Sequence, residues 1–134
     1  MFLLEAGLDI TGYSLQFIYN HKARTNPYIG IGYRYRSIYD TSYDNLIFEL
    51  RNYEETKSKN LNSFALDLGI GINRKWGLSC GPSFIINPSY LYAIKLAKNF
   101  YLTLGVDLNL QSNIWTYYRS GNPLTLGIKA GFLF

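Results

Sequence analysis

The chain ends in the stretch LTLGIKAGFLF, residues 124–134, in which two kinds of side chain alternate. One set is bulky and apolar: Leu124, Leu126, Ile128, Ala130, Phe132 and Phe134. The other set is small or polar, with one apolar exception at its end: Thr125, Gly127, Lys129, Gly131 and Leu133. Because successive side chains of a β-strand point to opposite faces, this pattern predicts a strand with one apolar face and one small or polar face.

The same alternation recurs along the whole chain. It predicts further strands at residues 4–10, 13–20, 28–36, 63–73, 78–87, 90–97 and 100–111, and residues 44–53 also alternate. No window approaches the roughly 18 consecutive apolar residues that a membrane-spanning helix requires. The sequence therefore predicts an all-β, antiparallel protein, and no stretch resembles a linker between two domains.

The second face of these strands decides which side of the sheet meets water. A soluble, lipocalin-like barrel would carry many Lys, Glu and Thr residues there, whereas this face is built from Gly, Ser, Asn and isolated charges. Charged residues make up 16% of the chain, against about 25% in typical globular proteins. Glycine weakens strands, but small residues suit the crowded interior of a narrow barrel. We therefore predict a single transmembrane β-barrel domain over residues 1–134, with the apolar face toward lipid and a filled polar lumen.

The charged residues on the predicted inner face are balanced in sign. The predicted lumen network contains four acidic and four basic side chains: Glu5, Asp9, Asp67, Asp107, Arg34, Arg36, Lys95 and Lys129. Buried charges are tolerated when they are paired and hydrogen-bonded. We expect these residues to pair with one another inside the barrel.

Aromatic residues concentrate at the predicted strand ends, where they are expected to form girdles at the membrane surfaces. They are Tyr13, Tyr19, Tyr28, Tyr39, Trp76, Tyr90, Trp115, Tyr117, Tyr118, Phe132 and Phe134.

The last strand resembles the outer-membrane β-barrel proteins of Gram-negative bacteria. Its alternating apolar residues and terminal aromatic are similar to the sorting signal of that family, here carried by Leu126, Ile128, Phe132 and Phe134. The resemblance implies location in the bacterial outer membrane, contact with its lipid and lipopolysaccharide, and recognition by the barrel-assembly machinery. Residues 1–5 do not form a signal peptide, so an exported protein would carry that segment ahead of this numbering.

The family's usual even strand number guides the strand count. Nine segments alternate, and we therefore assign residues 40–61 to one long extracellular loop, with no spanning strand at 44–53. Turns are then expected at residues 74–75 and 98–99 on the periplasmic side, and at 87–89 and 112–123 outside. Eight strands result. An eight-stranded barrel is just wide enough to be filled by side chains, so we do not expect a solute-conducting pore.

The sequence offers little chemistry for an active site. His21 is the sole histidine, and Ser14, the serine considered as its partner, is predicted to face the lumen seven residues away along the same strand. Cys80 is the sole cysteine, and we interpret it as a small apolar side chain. We predict no metal site, no cofactor and no catalytic residue.

Two classes of function follow. The first is a non-enzymatic barrel with a structural, adhesive or accessory-subunit role, which could bind another membrane protein. The alternative is an outer-membrane enzyme that acts on lipid A or phospholipid through His21 or lumen carboxylates. The net charge of +4 is not gathered in one basic run, so nucleic acid is not an expected partner.

Overall fold

The computed structural model describes residues 1–9, 12–21, 27–38, 41–75, 78–113 and 124–134. These residues form eight antiparallel strands in one closed barrel, in the order β1 to β8, with each strand paired to its neighbours in sequence and β8 paired to β1. The strands are β1 Phe2–Asp9, β2 Gly12–His21, β3 Tyr28–Ile38, β4 Thr41–Glu55, β5 Leu61–Lys75, β6 Leu78–Ala97, β7 Phe100–Asn113 and β8 Leu124–Leu133. None of the described residues forms a helix long and apolar enough to cross a membrane.

The barrel closes where β1 meets β8. The pairing runs from Leu3 opposite Leu133 to Asp9 opposite Gly127. Beyond it, the backbone N–H of Phe2 donates to the carbonyl oxygen of Phe134 at 2.6 Å, and the N–H of Phe134 donates back at 3.0 Å. We call the end of the barrel where β1 begins and β8 ends the proximal end, and the opposite end the distal end.

The strands separate their side chains as the alternation predicts. In β8, Thr125 and Lys129 are buried inside the barrel, while Leu126 and Ile128 are more than 60% exposed on its outer surface. The same order holds in β1 and β2, whose patterns alternate between buried and exposed residues. The prediction of an all-β, eight-stranded antiparallel barrel is confirmed.

The prediction of a long loop at residues 40–61 is wrong. Residues 41–55 form β4, which pairs with β3 from Thr41 to Arg51 and with β5 along its whole length. Only residues 56–60 connect β4 to β5, closed by a hydrogen bond from the N–H of Thr56 to the carbonyl of Asn60. The alternation of residues 44–53 correctly indicated a strand, because buried and exposed side chains alternate along this part of β4.

The turn predicted at residues 87–89 is also wrong. Those residues lie within the single long strand β6, where Pro88 is paired with Leu66 of β5. Proline lacks the N–H that a ladder needs, and the pairing of β6 with β7 accordingly skips from Ile86 opposite Leu110 to Ser89 opposite Asp107. Because β6 stays paired with β5 at Pro88, the strand can continue through the proline although its pairing with β7 is interrupted there.

These two errors cancel in the strand count but reverse part of the predicted orientation. The connection at residues 56–60 joins strand ends at the proximal end, and β5 reaches Lys75 at the distal end. Both were predicted on the opposite sides. The connection at residues 98–99 stays at the proximal end, and most of the predicted loop at 112–123 lies outside the described residues.

Candidate functional site in the barrel interior

Among the described residues, nine charged side chains lie in the interior of the barrel, each at most 5% exposed. They come from six strands: Glu5 and Asp9 of β1, Arg34 and Arg36 of β3, Glu49 and Arg51 of β4, Asp67 of β5, Asp107 of β7 and Lys129 of β8. We call this set the lumen network. Asn, Gln, Ser and Thr side chains fill the space between its members.

Lys129 lies at the centre of the lumen network. Its Nζ atom is 3.2 Å from Asp107, 3.9 Å from Glu5 and 4.0 Å from Asp67. Asp107 is shared with Arg34, whose Nη2 lies 3.4 Å from its Oδ2 and also donates to Asn109. One ammonium group thus links carboxylates from three different strands, which ties opposite walls of the barrel together.

A second ion pair lies toward the distal end. Arg36 Nη2 donates to Asp9 Oδ2 and to Thr125 Oγ1, each at 2.6 Å. The Thr125 hydroxyl donates in turn to Asp9 Oδ2 at 3.1 Å. This triad joins β3, β1 and β8, and therefore bridges the closure of the barrel from inside.

The third ion pair, between Arg51 and Glu49, was missed from the sequence. Arg51 donates to both carboxylate oxygens of Glu49, from Nε at 2.7 Å and from Nη2 at 2.6 Å. Asn20 Nδ2 donates to Glu49 at 2.9 Å, and Arg51 Nη1 donates to Ser63 at 2.9 Å. Both residues lie in β4, so the error about the loop at 40–61 removed them from the predicted network.

Lys95 was predicted in the network and does not belong to it. Its side chain is exposed near the proximal end of β6, beside the register shift between Lys95 and Ala97. Its backbone N–H donates to Asn60 Oδ1 at 3.0 Å. Alternation assigns the position to the inner face, but at this height the strand has passed the mouth of the barrel and no interior remains.

An apolar cluster also lies in the interior, and it extends along the barrel from the proximal end past the level of the Glu49–Arg51 pair, since Ile47 precedes that pair on β4 and Ile85 pairs with Gln111 of β7. We call it the apolar cluster, and its buried members are Leu3, Ile18, Ile47, Leu61, Ile85, Leu91, Ala93 and Leu133. Leu3 is opposite Leu133 across the β1–β8 seam, and Leu61 is opposite Ala93. Met1, Tyr53 and Tyr101 pack against the cluster. At the proximal end, Leu61 and Leu133 of this cluster help to line a cavity of about 180 Å³.

The residues considered for catalysis are not brought together. Ser14 is buried in the interior, where its hydroxyl accepts a hydrogen bond from Arg34 at 3.4 Å, whereas His21 is exposed at the end of β2. The side chain of Cys80 lies outside the described part of the structure. Within the described residues, no group of three or more His, Cys, Asp or Glu side chains is placed to hold a metal ion.

The lumen network thus joins five buried carboxyl groups and four buried cations through ion pairs. No known protein family, curated protein or solved structure shows a significant match to this chain.

Proposed function

We propose that this chain is an integral outer-membrane β-barrel that does not conduct solutes and serves a structural, adhesive or accessory-subunit role. The observation that carries the proposal is the inverted distribution of side chains, with large apolar residues outside and charges inside. On β5, for example, Phe64 is 67% and Ile70 is 62% exposed, while Asp67 between them is fully buried.

The apolar outer surface of the barrel supports the proposal that it lies in lipid. Soluble monomers rarely expose apolar patches larger than a few hundred Å², yet every strand of this barrel presents large apolar side chains outward. Lipid chains can cover an apolar surface of this kind. In a closed barrel, the backbone hydrogen-bonding groups pair between strands and need no water. Both requirements of a membrane-spanning protein are met by the same arrangement.

Tyrosines near both ends of the outer surface support the same proposal. Toward the proximal end, Tyr90 donates to Asn62 Oδ1 at 3.0 Å and Asn60 Nδ2 donates to the Tyr92 hydroxyl at 2.8 Å. Toward the distal end, Tyr13 and Tyr35 have ring centroids 6.1 Å apart. Rings with one polar atom favour the headgroup region of a bilayer. Of the other predicted girdle residues, Tyr39, Trp76, Trp115, Tyr117 and Tyr118 lie outside the described residues.

Insertion is tested by refolding the protein into phospholipid vesicles and comparing unboiled with boiled samples on a denaturing gel. We expect the unboiled barrel to migrate differently, because a closed sheet without edges opens slowly, and to remain with the vesicles after an alkaline wash. A protein that stays in the supernatant as a soluble oligomer would contradict the proposal.

The non-conducting role is supported by the lumen network and the apolar cluster, whose buried side chains occupy the interior together. Planar-bilayer recordings of the inserted barrel should show no stable conductance. Steady channels of uniform size would contradict it. Incubation with lipopolysaccharide followed by mass spectrometry should leave the lipid unchanged, and a modified product would support the enzymatic alternative instead.

The proposed sorting signal, which the barrel-assembly machinery would recognise, lies on the outer face of the last strand segment. Its residues are all exposed: Leu126, Ile128, Phe132 and Phe134. An exposed row of this kind is accessible to an assembly factor before the barrel closes. Deleting Phe134 should slow assembly in cells. Refolding in detergent should persist, because Phe134 is 47% exposed and the seam keeps its pairing from Leu3–Leu133 to Asp9–Gly127 when the terminal Phe2–Phe134 hydrogen bonds are lost. Assembly of the deletion at the wild-type rate would contradict this proposal.

A further inference from the structure

Glu49 and Asp67 form an unusual pair within the lumen network. The two residues are directly opposite each other on β4 and β5, and neither is more than 1% exposed. Residues directly opposite each other in an antiparallel pair have Cβ atoms about 4.5–5.5 Å apart, so the two carboxyl groups face each other at close range. Two ionised carboxylates repel at this separation and have no hydrogen to share. A hydrogen bond between them exists only if one of the two carries a proton.

The charges around this pair leave one carboxyl group uncompensated. The groups facing Asp67 are Glu5 from β1, Arg34 from β3, Glu49 and Arg51 from β4, Asp107 from β7 and Lys129 from β8, with neutral Asn87 from β6. With Asp67 included, four carboxyl groups share three cations. The remaining pair, Arg36 with Asp9, is internally balanced. An unbalanced charge in a buried interior is strongly unfavourable.

The hydrogen bonds identify which carboxyl group is in excess. Glu49 has both oxygens occupied by Arg51. Glu5 accepts from Gln16 at 2.8 Å on one oxygen and from Thr103 at 3.3 Å on the other. Among the described residues, Asp67 accepts a hydrogen bond from Asn87 alone, at 2.9 Å on Oδ2, and its buried Oδ1 has no hydrogen-bond partner there. Of the three carboxylates beside Lys129, Asp67 is also the most distant.

We propose that the folded barrel contains a proton-binding site in which Asp67 holds one proton on Oδ1 and donates it to the Glu49 carboxylate. The proton comes from solvent during folding, because an aspartate of the unfolded chain is ionised above about pH 5. Folding and proton uptake are therefore linked, and the barrel becomes less stable as pH rises. The inference concerns the interior alone and does not depend on membrane insertion.

The linkage is measured by equilibrium unfolding of the full chain in detergent micelles at a series of pH values. The unfolding constant of the wild type should rise about tenfold per pH unit above about pH 5, until Asp67 ionises in the folded barrel. The isosteric variant Asp67→Asn should lose this rise. Asp44→Asn changes an acidic residue on the outer surface and should retain it. Equal pH dependence in the wild type and Asp67→Asn would overturn the proposal, as would loss of the rise in Asp44→Asn.

Infrared spectroscopy of the folded protein provides a second test that does not require reversible unfolding. At neutral pH the wild type should show the C=O stretch of a protonated carboxylic acid, and the outer-surface variant Asp44→Asn should keep that band. Asp67→Asn, if folded, should lack it. A wild-type spectrum without the band would overturn the proposal even if no variant folds.

Discussion

The two faces of β7 have opposite environments although their residues alternate along one strand. Asp107 is 3% exposed and faces Arg34 and Lys129 across the lumen, while the adjacent Leu108 is 40% exposed on the outer surface. A shift of one position exchanges these environments. The inward position therefore depends on specific charged partners, whereas the outward position carries an exposed apolar side chain with no such partner among the described ion pairs.

Removing an interior charge should have the largest effect. In Asp107→Ala, the buried Arg34 and Lys129 lose their shared partner, and the unfolding free energy should fall by about 3–5 kcal/mol. Denaturant unfolding in micelles measures the loss. The matched control is Arg74→Ala, which breaks a pair with Asp44 at 3.6 Å on the outer surface, where Arg74 is 51% exposed. That change should lower the free energy by at most about 1 kcal/mol. Similar losses in the two variants would remove the proposed difference between the faces.

Placing a charge on the outer face should have the next largest effect. If the outer surface lies in lipid, Leu108→Arg should destabilise the barrel in vesicles by about 2–4 kcal/mol near the bilayer midplane. The conservative variant Leu108→Ala should cost less, because lipid chains can fill the space that the side chain leaves. Unfolding in vesicles measures both values. An arginine tolerated as well as alanine would argue against lipid contact at this position.

Alanine substitutions at two inner-face glycines should have smaller effects on the unfolding free energy, and these effects should differ from each other. A Cβ at Gly71 would lie 1.8 Å from the backbone oxygen of Asp44 and 2.7 Å from the Cα of Asn45. Gly71→Ala therefore forces β4 to move, and we expect a loss of about 1–3 kcal/mol. At Gly7 the closest atom is the Ser14 hydroxyl, at 2.6 Å, which can rotate away. Gly7→Ala should cost less in the same unfolding assay, and the reverse order would contradict this explanation.

The inner-face glycines have two different roles, and only one of them was predicted from composition. Small inner residues were expected to make room for larger polar side chains, and Gly7 and Gly127 do lie against the side chains of Ser14 and Asp107. Gly71 instead allows the backbone of the neighbouring strand to approach closely. Sequence composition cannot separate these two uses, because the second depends on how strongly the sheet bends at that point.

The sequence likewise predicted only some members of the lumen network. Glu5, Arg34 and Lys129 could be assigned to the interior because the direction of a side chain is a local property of its strand. Glu49 and Arg51 carried the same signal, but the argument about strand parity placed them in a loop. Lys95 alternates correctly and still lies outside the interior, because alternation gives the face of a strand but not its height in the barrel.

The sequence by itself determined that the protein is built from strands, that each strand has an apolar and a polar face, and that the polar face is small enough to be enclosed. These properties follow from neighbouring residues and the period of two. Only the tertiary structure decided that Pro88 lies within a strand and that Arg34 meets Asp107, which is 73 positions away in the chain. Such partners are set by strand register and by closure of the barrel, and both arise from the pairing of all eight strands together.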